Sequence, residues 1–301
     1  MQIMKRVIAL KKIGFIGIGV MGRYMAQNLL KKGFELYIYT RTKSKAQEVI
    51  EAGAVWCDSV KDCVGNCEAV ITMVGYPKDV EEVYFGQDGI LNSARPGTYL
   101  IDMTTTSPKL SKRIYQAACS KNLYALDAPV TGGDVGAKNA TLTIMVGGDK
   151  EAFENCLPIF EAMGTNIVYQ GEAGLGQHAK MANQIAISGI IAGLCEALIY
   201  AKAVGLNAET LLKAISGGAA GSWQMNNMAP RILKGDFEPG FYIKHFIKDM
   251  EIAKEESQMV DLDLCVLKEV LGLYKNLEQE GLGDLGTQAL IKYYERQISK
   301  K

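Results

Sequence analysis

The feature that most limits how this chain can fold is a glycine run set between an apolar stretch and an amphipathic one: Gly17-Ile18-Gly19-Val20-Met21-Gly22. The residues before it, Ile13-Gly14-Phe15-Ile16, read as a strand, and residues 21–32 after it read as a helix stopped by Gly33. In that setting each glycine has a task. One makes the tight turn, one lets the backbone approach a pyrophosphate, and one lets helix and strand pack closely. The helix N-terminus then turns N–H groups and a positive dipole end toward phosphate. A lone GxGxxG would also fit a merely tight turn. The strand before it, the helix after it and a second strand at Leu36-Tyr37-Ile38-Tyr39 favour nucleotide binding.

The alternation continues. Residues 44–52 read as a helix ending at Gly53, and 69–73, 98–102, 123–127 and 141–146 read as further strands. Strand-helix repetition of this kind predicts an α/β fold, a Rossmann-type doubly wound sheet that is mostly parallel. Gly171, Gly174 and Gly176 then mark a break. From Gln177 onward no strand stands out, and helical patterns cover 177–205, 208–216, 226–234, 247–260 and a last pair. The chain of 301 residues is too long for one small core. It is expected to divide into a dinucleotide-binding domain, 1–173, and an all-helical substrate and dimerisation domain, 174–301. The first helix of that second part exceeds the ~20 residues usual for globular helices, which suggests an interdomain spine and a subunit interface.

Charge and cysteines narrow the function classes. Lys+Arg and Asp+Glu each number 33, so no net charge favours coating nucleic acid or a membrane surface. The 7 cysteines form neither a CxxC pair nor a metal-ligand cluster, which suits a reduced, cytoplasmic setting and implies no metal. Lys5 and Arg6 precede a short apolar run that Lys11 and Lys12 interrupt, so no signal peptide is read there. The apolar stretch 185–195 is too short to span a bilayer and reads as a buried helix.

At the end of the second strand stands Tyr39-Thr40-Arg41-Thr42-Lys43-Ser44-Lys45, with no acidic residue between Glu35 and Glu48. An NAD-selective turn usually places a carboxylate here for the ribose 2′-hydroxyl. A guanidinium instead fits a 2′-phosphate bidentately. Thr40, Arg41, Thr42 and Lys45 are therefore candidate cofactor contacts, and NADP(H) is favoured over NAD(H). The alternative is that Arg41, Lys43 and Lys45 only solvate a helix start.

The chemistry points to Gly174-Leu175-Gly176-Gln177-His178-Ala179-Lys180-Met181-Ala182-Asn183. On a helix, Lys180, Asn183 and Gln184 share one side. A lysine desolvated beside a nicotinamide would have a lowered pKa and could exchange protons near neutrality. An ordinary solvated helix lysine is the alternative. Thr131-Gly132-Gly133 could cradle a carboxylate with backbone N–H groups, or be a plain turn. Lys248-Asp249 by itself reads as a surface ion pair. His178 and His245 are the only histidines, and a helix points His178 away from Lys180, which disfavours a histidine base.

Four motifs in order, Gly17 to Gly22, Asp127 to Gly133, Gly174 to Asn183 and Lys248-Asp249, give the chain a resemblance over nearly its whole length. It resembles the β-hydroxyacid dehydrogenase family, which includes 3-hydroxyisobutyrate dehydrogenase, tartronate semialdehyde reductase and glyoxylate/succinic semialdehyde reductase. The resemblance implies Lys180 as catalytic acid/base. It implies Thr131, Gly132, Gly133, Asn183 and Gln184 as substrate contacts. Gly17, Gly19, Val20, Met21, Gly22, Met73, Val74, Thr105 and Lys248 would contact the cofactor, with Lys248 reaching it from the second domain. Gly221-Ser222-Trp223 resembles the reductase branch. The substrate would be a small carboxylate-bearing aldehyde or hydroxyacid and the assembly a homodimer or homotetramer. Two departures stand out. Many members carry Asn where Gln184 stands, and the loop after the third strand reads Val74-Gly75-Tyr76-Pro77 where Leu-Pro is common. An imine reductase and a non-catalytic NADP(H) sensor are the rival readings on the same scaffold.

Overall fold

The computed structural model describes residues 10–299. The stretch read for a signal peptide, around Lys5 and Arg6, lies outside the described residues. The chain divides into two compact units, Met1–Lys180 and Met181–Lys301.

The first unit is built on one sheet. Its strands are β1 (Lys12–Ile16), β2 (Glu35–Tyr39), β3 (Val55–Trp56), β4 (Ala69–Thr72), β5 (Tyr99–Asp102), β6 (Tyr124–Asp127), β7 (Val130–Thr131), β8 (Leu142–Gly148) and β9 (Gly164–Gly171). From β3 through β2, β1, β4 and β5 to β6 every pairing is parallel. β4 and β5 are buried at every residue, as strands covered by helices on both faces must be. Helix Gly22–Lys31 places Met25, Ala26 and Leu29 in this core, at the three- and four-residue spacing of one helix face. Beyond β6 the sheet becomes mixed. β8 runs antiparallel to β6 and β7, and β9 pairs parallel with β8. β3, β7 and β9 carried no clear strand pattern. Two of them have two residues, and β9 is exposed or half-buried after Gly164, with polar Thr165, Asn166 and Gln170.

The second unit is helical: no strand follows Gly171 among the described residues. Helix Leu175–Ala203 begins in the first unit and continues through 29 residues. Its Ile191, Leu194, Cys195 and Leu198 pack in a core with Phe246, Met250, Tyr274 and Leu290. By length and composition this helix is apolar enough to cross a membrane, with a mean hydropathy of 1.7 over its best window, which corrects the reading of 185–195 as too short. Its buried positions show why it is apolar: they form the core of the helical unit. The segment 226–234 is two helices, Trp223–Asn227 and Ala229–Leu233, because Pro230 cannot continue the first. Helix Ile243–Gln258 starts a turn earlier than its pattern indicated.

Candidate active site

The glycine fingerprint is shaped by its neighbours. Gly17 has φ +104°, and a Cβ there would overlap the Met73 carbonyl. A Cβ at Gly22 would overlap the Gly17 carbonyl. At Gly19 a Cβ would meet no atom within 4 Å. Packing therefore dictates the outer two glycines, while the middle one faces open space. Helix Gly22–Lys31 has no acidic residue in its first turn, so its orphan N–H groups and dipole keep their pull for an anion. An open glycine before a helix start of this kind fits a dinucleotide pyrophosphate.

Hydrogen bonds gather the other cofactor-end segments around this turn. Gly17 N–H donates to Tyr39 C=O (2.9 Å), and Met73 N–H to Ile16 C=O (2.9 Å). The structure thus brings together Gly17–Gly22, the β2 end with Thr40, Arg41 and Thr42, and Met73-Val74. Arg41 is 76% exposed, and its guanidinium pairs with Asp79 Oδ1 at 3.2 Å. Asp79 in turn accepts the Tyr76 N–H at 3.0 Å, capping helix Pro77–Phe85. Lys43 lies over the Trp56 ring, 5.1 Å from its centroid. Lys45 is exposed in the short helix Lys43–Ala46. Asp79 is not legible as a site residue in the sequence, since nothing local ties it to Arg41 just past β2.

A buried polar network joins the ends of β5 and β6 to the lysine helix. The last residues of the two strands, Asp102 and Asp127, are register partners. Asp102 Oδ1 accepts from Thr72 Oγ1 (2.7 Å) and from the Thr104 N–H (3.1 Å), and Thr104 Oγ1 accepts the Val74 N–H (3.0 Å). Asp127 accepts the Gly174 N–H at 2.7 Å and the Gln177 N–H at 2.8 Å. It thereby supplies a carboxylate to the N-terminus of helix Leu175–Ala203. A Cβ on Gly176 would lie 2.5 Å from Asp127 C=O and 2.6 Å from Met145 C=O, so only glycine permits this approach. Burial pushes both carboxyls up to about 6. For Asp102 the Thr72 and Thr104 hydrogen bonds oppose the rise and the charge of Asp127 adds to it; for Asp127 the Gly174 and Gln177 N–H groups oppose it.

Lys180, on the second turn of this helix, is 6% exposed, so it is not the solvated surface lysine of the alternative reading. Thr105 is half-buried between the buried Thr104 and Thr106. Thr131 closes β7, and Gly132 (φ +129°) and Gly133 (φ +64°) form an exposed turn into helix Gly133–Asn139.

The helical unit holds its own polar chain. Asn183 Nδ2 donates to Gln184 Oε1 (2.8 Å), and Gln184 Nε2 donates to Asp249 Oδ2 (2.6 Å). Lys248 Nζ stands 3.1 Å from Asp249 Oδ1. The two side chains are 12% and 2% exposed, so this is a buried pair rather than a surface one. Gln184 is buried and its amide is engaged by Asn183 and Asp249, which makes it a support for Asn183. Burial, then the charge of Lys248, holds His245 below the usual imidazole range. In Gly221-Ser222-Trp223, Ser222 caps helix Trp223–Asn227 through the Met225 N–H, and Trp223 is exposed.

Comparison with known proteins fits these two halves. Residues 12–171 match the family model described as the NAD binding domain of 6-phosphogluconate dehydrogenase. Residues 174–294 match the one described as NAD-binding of NADP-dependent 3-hydroxyisobutyrate dehydrogenase. The chain is 56% identical to an uncharacterized oxidoreductase of Bacillus subtilis, over 94% of this chain and 99% of that one. It is 46% identical to probable 3-hydroxyisobutyrate dehydrogenase-like 1, mitochondrial, of Arabidopsis thaliana, over 95% of this chain and 85% of that one. A solved structure of Mycobacterium tuberculosis 3-hydroxyisobutyrate dehydrogenase with L-serine superposes with a TM-score of 0.87 at 29% identity, covering 94% of this chain and 98% of that one.

Proposed function

The chain belongs to the β-hydroxyacid dehydrogenase family and is an NAD(P)-dependent oxidoreductase, and from that premise we propose that it interconverts a small β-hydroxyacid and its semialdehyde with Lys180 as general acid/base and NADP(H) as preferred cofactor. The observation that carries the reading is the burial of Lys180 on a helix whose first turn is joined to the ends of β5 and β6. A buried lysine beside the carboxyl edge of a doubly wound sheet stands where such folds bind their ligands.

When bound, the nicotinamide supplies or accepts the hydride. In the reducing direction Lys180 gives one Nζ proton to the carbonyl oxygen as that oxygen gains charge, and solvent restores the proton. In the oxidising direction neutral Lys180 takes the hydroxyl proton. Thr131, Gly132 and Gly133 hold the substrate carboxylate through backbone N–H groups. Asn183, steadied by Gln184 and Asp249, orients the substrate oxygen. The cofactor preference rests on Arg41, exposed at the β2 end and held from one side by Asp79. A homodimer is the proposed assembly: the space around a Cβ at Gly193 is open, and Ile190 and Tyr200 stay exposed on the same helix.

The test is a panel of glyoxylate and of succinic, tartronate and methylmalonate semialdehydes with NADPH and NADH, together with L-serine in the oxidising direction with NADP+ and NAD+. The parent should turn over at least one of them, and Lys180→Ala should lose ~10²–10⁴ in kcat while still binding NADPH. A folded Lys180→Ala variant with near-parent turnover would remove Lys180 from the mechanism.

A further inference from the structure

Gln177 stands three residues before Lys180 on the same helix and is fully buried. Both ends of its side-chain amide serve one turn. Oε1 accepts the Thr106 N–H (3.1 Å), and Nε2 donates to the Thr104 C=O (2.8 Å). Its backbone N–H is fastened to Asp127 Oδ2. The turn it grips is also hung from Asp102 at the end of β5 and from Val74 after β4. Of the three threonines there, only Thr105 is not buried.

Leucine or methionine would satisfy helix packing at this position at lower desolvation cost than an amide. What the amide adds is a fixed distance, since it meets one donor and one acceptor of the same turn at once. Glutamate cannot donate to the Thr104 carbonyl, asparagine is one methylene short, and leucine makes neither bond. We propose that Gln177, held by Asp127, is a positioning residue that sets Lys180 at a fixed distance from the 104–106 turn, and through it from the reacting carbon of the bound cofactor. The proposal rests on the assignment of Lys180 as acid/base. Its chemical consequence is on the proton-coupled hydride step, because a displacement of ~1 Å between reacting groups can cost ~10²-fold in rate.

The experiment uses the full-length protein and Gln177→Leu, with Gln177→Glu as a second variant that takes over every readout if the first does not fold. Three quantities are read: kcat on the best panel substrate, the NADPH dissociation constant by fluorescence titration, and hydrogen exchange of the segments that contain Thr106 and residues 175–180. The expected result is a kcat lower by roughly 10–100-fold, an NADPH dissociation constant within about threefold of the parent, and exchange at Thr106 accelerated about tenfold or more. Unchanged exchange at Thr106 overturns the clasp. Faster exchange with kcat kept within about twofold shows a merely structural bond and also overturns it. So does a fall in kcat matched by an equal loss of NADPH affinity. If the parent turns over nothing on the panel, the reductase reading fails and the positioning role falls with it whatever the exchange shows, whereas an active parent with an unaffected variant overturns the positioning role alone.

Discussion

Helix Gly22–Lys31 and helix Leu175–Ala203 both start within the first unit, and at any helix start the first N–H groups have no partner within the helix itself. The first has no carboxylate near its start and open space at Gly19. The second has the Asp127 carboxylate fitted against it, bonded to the Gly174 and Gln177 N–H groups, with backbone so close that Gly176 admits no side chain. The same orphan donors and the same dipole thus stay open to an anion in one place and make a structural joint in the other. The difference is whether the fold brings its own anion.

The most forceful way to break this contrast is to place a methyl group at each start. Gly176→Ala should lose about 3 kcal/mol of unfolding free energy in urea, because its Cβ is driven into two backbone carbonyls. Gly19→Ala should keep parent stability within about 1 kcal/mol, yet bind NADPH roughly 10–100-fold more weakly, because the pyrophosphate needs that approach. Parent-like NADPH binding by Gly19→Ala would mean that the open space is not the phosphate site.

Next in size is a pH effect from the joint. The folded Asp102 carboxyl is raised to about 6, against an ordinary value of about 4 when unfolded. The native state therefore holds more protons than the unfolded one between those values, and stability falls as pH rises through that window. This contribution is full below about pH 4 and lost above about pH 6. Two pKa units correspond to roughly 3 kcal/mol. Asp102→Asn keeps an acceptor for Thr72 and Thr104 and removes the titration. Its urea stability should decline less than the parent's from pH 4 to 7, by about that amount; parallel profiles would show that Asp102 does not carry the effect.

The smallest expected effect sharpens the ligand-binding side. Arg41 is exposed and already paired, so its removal should raise the NADPH Michaelis constant about tenfold and leave NADH nearly unchanged, as loss of one charge-assisted contact predicts. Steady-state kinetics with both cofactors measure this, and equal use of the two by the parent would refute the preference.

Much of the fold was legible because its signals are local. A strand, a glycine turn and a helix lie within 21 residues, Lys12 to Lys32, and β4, β5 and β6 are apolar or aromatic up to their last residues, Thr72, Asp102 and Asp127. β7 and β9 were not legible, since their pairing with β8 depends on residues far along the chain rather than on a pattern of their own. The site divides the same way. Lys180 stood out beside its glycines, but Asp102, Asp79 and Gln177 passed as ordinary polar residues because the groups they serve are distant in sequence: 30 residues from Asp102 to Thr72, 38 from Asp79 to Arg41 and 73 from Gln177 to Thr104.

By itself the sequence determined the doubly wound architecture, the helical second half, and which short segments carry glycine turns and a lysine, because period and turn chemistry act between neighbours. Only the tertiary structure decided that Lys180 is buried, that one helix start stays open while Asp127 closes the other, and that Gln177 grips the 104–106 turn. Those outcomes depend on desolvation and on hydrogen bonds between strand ends and a helix that meet only once the sheet has formed.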